Sequence, residues 1–437
     1  MCIRDRFKWK RFRYIKLERT GEEMIYDTIV IGGGPAGMTA AIKAKETCEK
    51  AKILIIDRNK KLGKKLYATG NGRCNIANSA LDLSSYHSCN EFFPYQIINT
   101  ESYKKLKEFF MDLGVAIYDD GGYLYPQSMQ ASTVVWALSD RIKHLGIEIH
   151  TTEEAESVEP TDEMYGIVTD CAEYTARTVV AAPGSAAAPK LGGTESVYRL
   201  LENTDIRTIA PHPALCRLKT REDTSDLAGV RARCRVSLLC DGDVYDSESG
   251  EIQFADGWLS GIAVFNLSMQ CIDLLNDGRT PVVEVTLVPE MDEDDVLGYL
   301  RKFRDSNPDR RLEAMSNGLV NEKIARFIIN RLELKSVTAA RLTDEELDRM
   351  VFEIKHMRFE ISGHGGYDES QAACGGIDTR QLRPDSMEAD GYKGLYVAGE
   401  YADVTGKCGG YNIMWAVMTG MRAGEAAGKR LTHDKNK

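Results

Sequence analysis

Residues 27–31, DTIVI, are a β-branched run that stops at three consecutive glycines. A run this short and apolar predicts a buried strand. Over 36–47, Ala, Met, Ala, Ala and Ile recur at helical spacing, and KILIID at 52–57 repeats the buried-strand pattern. Strand, glycine turn, helix and strand in that order predict a βαβ unit with parallel strands and a right-handed crossover. Val135, Leu138, Ile142 and Leu145 follow the 3.6-residue period of a helix. Ser132 is expected to cap that helix and Gly146 to end it, with GIEIHT as the following strand. Residues 173–182 predict a strand that runs into AAPGSAAAP, and GLYVAGE (394–400) predicts another. After it come the loop YADVTGKCGGYN and a helix over 412–429.

The middle of the chain reads differently. It alternates strand patterns, RCRVSLLC and PVVEVTLV, with polar helices at 292–305 and 343–355. The pattern predicts an insertion over 191–352, with an α/β domain assembled from 24–190 and 353–433. Residues 1–23, MCIRDRFKWKRFRYIKLERTGEE, carry eight Lys/Arg against four acids without a clean helical period. They are expected to be a non-native or disordered extension, translation starting at Met24. Read instead as a native basic arm, they would suit RNA or a membrane surface.

The chain has 437 residues, 43% hydrophobic and 28% charged, enough for two or three domains with ample core. It holds no stretch of eighteen apolar residues, so no membrane span is expected. A net charge of −10 argues against a body built to coat nucleic acid. The 11 cysteines include no CxxC and no His/Cys cluster with ligand spacing, so no metal is expected and a reducing cytoplasm is the natural setting. Nothing in the pattern fixes an oligomeric state.

VIGGGPAGM contains G-x-G-x-x-G as Gly32, Gly34 and Gly37. Gly32 permits the tight turn, Gly34 lets a pyrophosphate approach the backbone, and Gly37 lets helix and sheet pack closely. Asp57 ends the next strand, where a carboxylate binds an adenosine ribose hydroxyl. The motif alone does not separate NAD from FAD. The glycine-rich loops at 63–78 and 399–412 favour FAD, because a flavin needs backbone donors along its ring and ribityl-diphosphate arm. The helix after the second loop would aim its N-terminus at the N1/C2-oxygen edge of the ring. Only one G-x-G-x-x-G is present, so a nicotinamide, NAD(P)H, would visit as a transient electron donor.

GKKLYATGNGRCNIAN, GGYLYPQSMQASTVV, GEIQFADGWLSGIAVFNLS, QAACGGID and GLYVAGEYADVTGKCGGYNIMWAVMTGMRAG together resemble the BaiN-type (YhiN-like, aminoacetone oxidase family) NAD(P)/FAD-dependent oxidoreductases, from about Met24 to Gly428. The resemblance implies a glutathione-reductase-like Rossmann FAD domain, class α/β, interrupted by a β-rich plus helical insert covering the flavin. It implies that Gly32, Gly34, Ala36 and Gly37 line the pyrophosphate, with Asp57 and Arg58 near the adenosine. Lys65, Gly70, Gly72, Arg73, Cys74 and Asn75 would lie beside diphosphate and flavin, Gly399, Glu400 and Asp403 along the ribityl chain, and Gly409, Gly410, Tyr411, Asn412 and Ile413 at the ring edge. The chain departs from the family pattern at Ala373-Cys374, Ala255-Asp256, Cys408 and AAPGS, none of which removes a phosphate-binding glycine.

Reduction of a polarised C=C takes hydride from the flavin on one carbon and a proton on the other. Tyr411, Asp256 and His364 are the candidate proton donors, in that order. Cys74, Cys374 and Cys408 raise the separate idea of a thiol pair exchanging electrons with the flavin, against which stands the ordinary use of cysteine as a small buried hydrophobe. The leading expectation is NAD(P)H-linked reduction of an activated C=C or C=N in a small or steroid-like substrate. The alternatives are an amine oxidase using O₂ and a flavoenzyme reducing a base in RNA.

Overall fold

The computed structural model describes residues 25–334 and 338–434. The basic arm 1–23 and the expected start at Met24 lie outside the described residues. The strand Ile25–Ile31 pairs in parallel with Ile53–Asp57 on one side and Glu173–Ala181 on the other. Glu148–Thr151 extends the sheet beyond Ile53–Asp57, and Leu395–Val397 adds in parallel to Glu173–Ala181. The strand–helix–strand order thus builds the parallel sheet that the pattern predicts. Ile29, Val30, Leu54 and Ile55 are fully buried, as strands covered on both faces require.

Three local expectations are corrected. Ser132 does not cap its helix, which runs Ala131–His144 with Gln130 at the cap position and no side-chain bond there. A turn closed by the Met129 amide on the Pro126 carbonyl delivers the chain into the helix early, leaving Ser132 inside the first turn. The strand expected over 394–400 stops at Val397, because Gly399 turns away at φ +70°. The last helix is longer than expected, Tyr411–Asp434.

The middle of the chain forms a closed antiparallel barrel. Its strands are Leu218–Thr220, Arg231–Cys240, Asp243–Ala255, Trp258–Ser260, Val282–Leu287 and Met357–His364. The closing strand falls beyond residue 352, where the pattern places the end of the insertion, and the helix Asp344–Lys355 straddles that point. The polar helices Glu293–Ser306 and Asp344–Lys355 begin with capping boxes at Asp292 and Thr343, and their apolar sides pack on the barrel core around Phe254 and Phe359. Thr208–Ala214 pairs with Ala372–Ile377, so the two chain crossings between the domains form one antiparallel ribbon.

The α/β domain depends on one helix crossing. The motif helix Pro35–Thr47 meets the C-terminal helix Tyr411–Asp434 through small residues on both sides. A Cβ on Gly420 would lie 2.3 Å from the Ala36 carbonyl oxygen, one on Gly424 2.2 Å from that of Ala40, and one on Gly428 2.8 Å from that of Ala44. Backbones this close exclude any larger residue, since a packed interior takes up added volume only by shifting whole elements. Gly424→Val is expected to cost about 3 kcal/mol or more of stability and to lower the melting temperature with loss of bound flavin. A melting curve and flavin content equal to the native protein's would contradict this packing.

Candidate functional site

The crossing brings the N-termini of both helices toward one end of the parallel sheet. At the motif turn the three glycines serve distinct ends. Gly32 adopts φ +100°, and a Cβ there would sit 2.1 Å from the Ala182 carbonyl oxygen. A Cβ on Gly37 would lie 1.8 Å from the Gly32 carbonyl oxygen, so strand, turn and helix are locked by their backbones. Around Gly34, by contrast, an added Cβ meets nothing within 4 Å. Gly34 is the N-cap of the motif helix, with extended backbone, and Pro35 follows it. The first-turn N–H groups of a helix have no intrahelical partner and favour an anion.

Asp57 is buried, its Oδ2 accepting from the Gly33 amide at 2.6 Å and its Oδ1 from the Asn59 amide at 2.7 Å. Each oxygen keeps a lone pair for a ribose hydroxyl. Arg58 lies beside the loop at Gly192, with Nη1 3.4 Å from that carbonyl oxygen and Nε 3.7 Å from Glu154.

The loop GKKLYATGNGRCNIAN forms only a kinked 3-10 segment, Leu66–Gly72, and a two-residue strand, Ala77–Asn78, because its backbone repeatedly turns left-handed. Gly70, Asn71, Gly72 and Cys74 have φ between 55° and 82°. Lys65 from this loop forms an ion pair with Glu400 at 2.8 Å, and Glu400 also accepts from the Ala373 amide at 3.3 Å. Arg73 stacks over the Tyr125 ring at 5.2 Å. Asn75 is 7% exposed, and its Oδ1 is buried without a hydrogen-bond partner. An orphaned buried acceptor costs about 1–3 kcal/mol, so this oxygen is open to a donor that the described residues do not supply.

The second loop closes against the first. Gly399 is held by the C-terminal helix, its amide donating to Thr419 Oγ1 at 2.9 Å and its carbonyl accepting from Trp415 Nε1 at 3.0 Å. Its own Cβ would fall 2.8 Å from that of Ala36. Asn412 clamps Gly406 through both side-chain atoms, at 2.8 and 2.7 Å. The Gly409 carbonyl accepts from Asn78 Nδ2 at 3.0 Å, and a Cβ on Gly410 would lie 2.7 Å from Asn75 Oδ1. Ile413 is buried one position on. Asp403 is buried and accepts from the Cys89 amide at 2.9 Å; burial pushes its carboxyl above the usual range.

The structure therefore brings the predicted glycines, Lys65, Asn75, Glu400 and residues 409–413 into one neighbourhood. The proton-donor candidates separate. Tyr411 stands in the site, its hydroxyl donating to the Ala80 carbonyl at 3.0 Å. Asp256 is exposed in a hairpin turn whose flanking Ala255 carbonyl and Gly257 amide are held by Thr224 Oγ1. It lies eight residues from Glu248, just past the end of the strand Asp243–Ala255, up to about 26 Å away at 3.3 Å per residue. His364 ends the closing barrel strand, with Nδ1 2.9 Å from the Gly365 carbonyl oxygen. Burial pushes the Cys74 thiol up to about 11 and that of Cys408 to about 12, and raises that of Cys374, which keeps all three as protonated thiols. Among the described residues no group of His, Cys, Asp and Glu could hold a metal ion, and no helix is long and apolar enough to cross a membrane.

Sequence reasoning missed the residues that seat the inserted domain. Asp273, on the barrel helix Ile262–Asn276, has one carboxylate oxygen 3.0 Å from His87 Nε2 and the other 3.0 Å from His212 Nε2. His87 faces Thr405 across a two-residue strand pair, and His212 lies on the interdomain ribbon. Burial opposes charge on Asp273, but hydrogen bonds from His212 and His87 outweigh it and hold the carboxyl well below its usual range. For His212 the Asp273 bond likewise overcomes burial and raises the imidazole. No local pattern links residues this far apart in sequence.

An FAD fits these residues on three observations: the open space at Gly34, the orphaned Asn75 oxygen between the two loops, and the two helix N-termini aimed at one region.

The HI0933-like Rossmann-domain profile matches residues 26–426. A 3-dehydro-bile acid delta(4,6)-reductase of Clostridium scindens is 32% identical over 404 residues, 92% of this chain and 98% of its own. A ribosomal RNA dihydrouridine synthase of Haemophilus influenzae is 25% identical over 406 residues, 89% of this chain and 95% of its own. The 3-ketosteroid-delta4-(5alpha)-dehydrogenase of Rhodococcus jostii RHA1 superposes over 94% of this chain and 98% of its own, with 14% identity and a TM-score of 0.48.

Two predictions follow from this geometry. Gly34→Ala should leave the fold and the apoprotein's melting temperature unchanged while weakening FAD binding about 10- to 100-fold, the scale of 1–3 kcal/mol of overpacking. Native affinity in that variant, measured by flavin titration of apoprotein, would remove Gly34 from the phosphate site. The second concerns the Asp273 pair. The raised His212 contributes stability below its unfolded pKa and loses it as pH climbs through the folded value. The lowered Asp273 contributes above its unfolded pKa and loses it only as pH falls toward the folded value. The melting-temperature gap between native protein and Asp273→Asn is therefore expected to be widest between about pH 4 and about pH 6.5 and to narrow above. A gap independent of pH would contradict the ionic latch.

Proposed function

The chain belongs to the HI0933-like Rossmann family and is an FAD-dependent oxidoreductase, and on that premise we propose that it reduces a ring C=C conjugated to a carbonyl, fed by NADH or NADPH. The observation that carries this reading is the near end-to-end likeness to the bile acid delta(4,6)-reductase. A carbonyl-conjugated ring C=C is common to a 3-oxo-4,6-diene and to uracil, which makes the likeness to a dihydrouridine synthase consistent with the same chemistry on another ring. The steroid-type substrate is favoured here by the higher identity and by the net charge of −10, which opposes a nucleic-acid groove.

FAD, when bound, supplies a two-electron carrier for hydride. In this reading Gly34 and the motif helix hold the pyrophosphate, Asp57 the adenosine ribose, and Asn75 with Gly409–Ile413 the ring. Lys65 and Glu400, paired with each other, brace the two loops rather than present free charge. Tyr411 is the proposed proton source: burial raises its phenol above the ordinary value, which keeps the proton on Oη at neutral pH. Its hydrogen bond to the Ala80 carbonyl fixes that proton's position. In this reading the barrel helix covers the ring-edge loop, its Phe265 and Met269 packing in one apolar cluster with Cys408 and Cys374.

Anaerobic mixing of the holoprotein with NADH or NADPH is expected to bleach the flavin, and a 3-oxo-4,6-diene bile acid to restore its colour with saturation of a ring bond. Tyr411→Phe should keep FAD and slow the reoxidation about 100-fold or more. A flavin that nicotinamides leave oxidised, or that only O₂ reoxidises while an amine is consumed, would overturn the reading.

A further inference from the structure

One face of the barrel helix rests on the loop expected at the ring edge. Asn266 and Asp273 lie on that face, seven residues apart, as i and i+7 of a helix do. Asn266 Oδ1 accepts from the Cys408 amide at 2.8 Å, and its Nδ2 donates to Glu248 Oε2 at 3.3 Å. Glu248, on the barrel strand Asp243–Ala255, also takes the Lys407 ammonium at 2.6 Å, and Asp246 takes it at 3.2 Å. The side chains of Lys407, Asp246 and Glu248 are 13%, 23% and 18% exposed, so solvent screens the network weakly. Burial opposes charge on Lys407, but the two carboxylates outweigh it and raise its ammonium.

The charges have a consequence for whatever binds at the helix N-terminus. Lys407 stands four residues before Tyr411, beside the positive end of the C-terminal helix. Alone it would add a second positive centre there. The inserted domain answers with two carboxylates, leaving one negative charge in excess across the three groups.

We propose that Asn266, Glu248 and Lys407 are positioning residues through which the inserted domain sets both the shape of the ring-edge loop and the electrostatic potential felt by the flavin. This rests on the flavin assignment above, not on the substrate. Because a reduced flavin carries negative charge at the N1 edge, each charge change shifts its midpoint potential in a defined direction. Loss of the Lys407 charge lowers the potential; loss of the Glu248 charge raises it. A purely structural brace gives no such opposition of sign.

The test uses the full-length holoprotein and dye-coupled anaerobic titration, which needs neither nicotinamide nor substrate. Lys407→Met is expected to lower the midpoint potential and Glu248→Gln to raise it, with FAD still bound because the pyrophosphate site is untouched. Asn266→Ala, which frees the Cys408 amide without changing charge, should displace the visible flavin bands, and Lys407→Arg should restore native values. Shifts of the same sign in Lys407→Met and Glu248→Gln, or native potentials and spectra in both, would overturn the proposal, as would release of FAD by folded Lys407→Met protein. Should native protein ignore nicotinamides in the earlier experiment, the donor reading fails while these potentials still decide this one.

Discussion

Everything at the candidate site depends on two helices being allowed to touch backbone to backbone. Gly420, Gly424 and Gly428 meet the carbonyls of Ala36, Ala40 and Ala44, and side chains larger than these would hold the helices apart. The crossing fixes Gly399 against Ala36 and lets Thr419 and Trp415 grip Gly399 by its amide and carbonyl. Two helix N-termini, one proposed for phosphate and one for the ring edge, thereby reach the same end of the sheet. Their partial positive charges suit a cofactor that is anionic at its diphosphate and becomes anionic at its ring on reduction.

The second constraint comes from the inserted barrel. It does not merely sit above the site, because its helix and one strand bond directly to the loop that would edge the ring. Asn266 occupies the Cys408 amide, while Asp246 and Glu248 occupy Lys407. Asp273 spans two histidines on separate elements of the other domain. Family membership and the likeness to a steroid-type reductase place this architecture among FAD-dependent oxidoreductases. The barrel contacts add charged groups of their own against the loop proposed to edge the ring.

How much of this was legible depends on the distance over which each signal acts. The βαβ unit was readable because DTIVI, the glycine turn and KILIID are contiguous, and their periods differ sharply. The roles of Gly32, Gly34 and Gly37 were readable for the same reason, and the space around each differs as those roles require. Ser132 misled because a serine before an apolar period looks like a cap, while an upstream turn decides where the helix begins. Asp256 drew attention as part of a quoted block, yet it occupies a hairpin turn far along its strand. The glycine stripe at 420, 424 and 428 was visible in principle, since it matches the alanine spacing at 36, 40 and 44. The His87–Asp273–His212 cluster and the Asn266–Cys408 bond join segments more than 50 residues apart and leave no local trace.

The most direct measurement is hydrogen–deuterium exchange of the protein with and without FAD. The account predicts added protection in three separate segments at once: the motif turn at 32–38, the loop at 66–76 and the second loop at 399–413. Protection confined to 32–58, the adenosine end, would contradict it, because the two later loops would then not be the walls of the cofactor site.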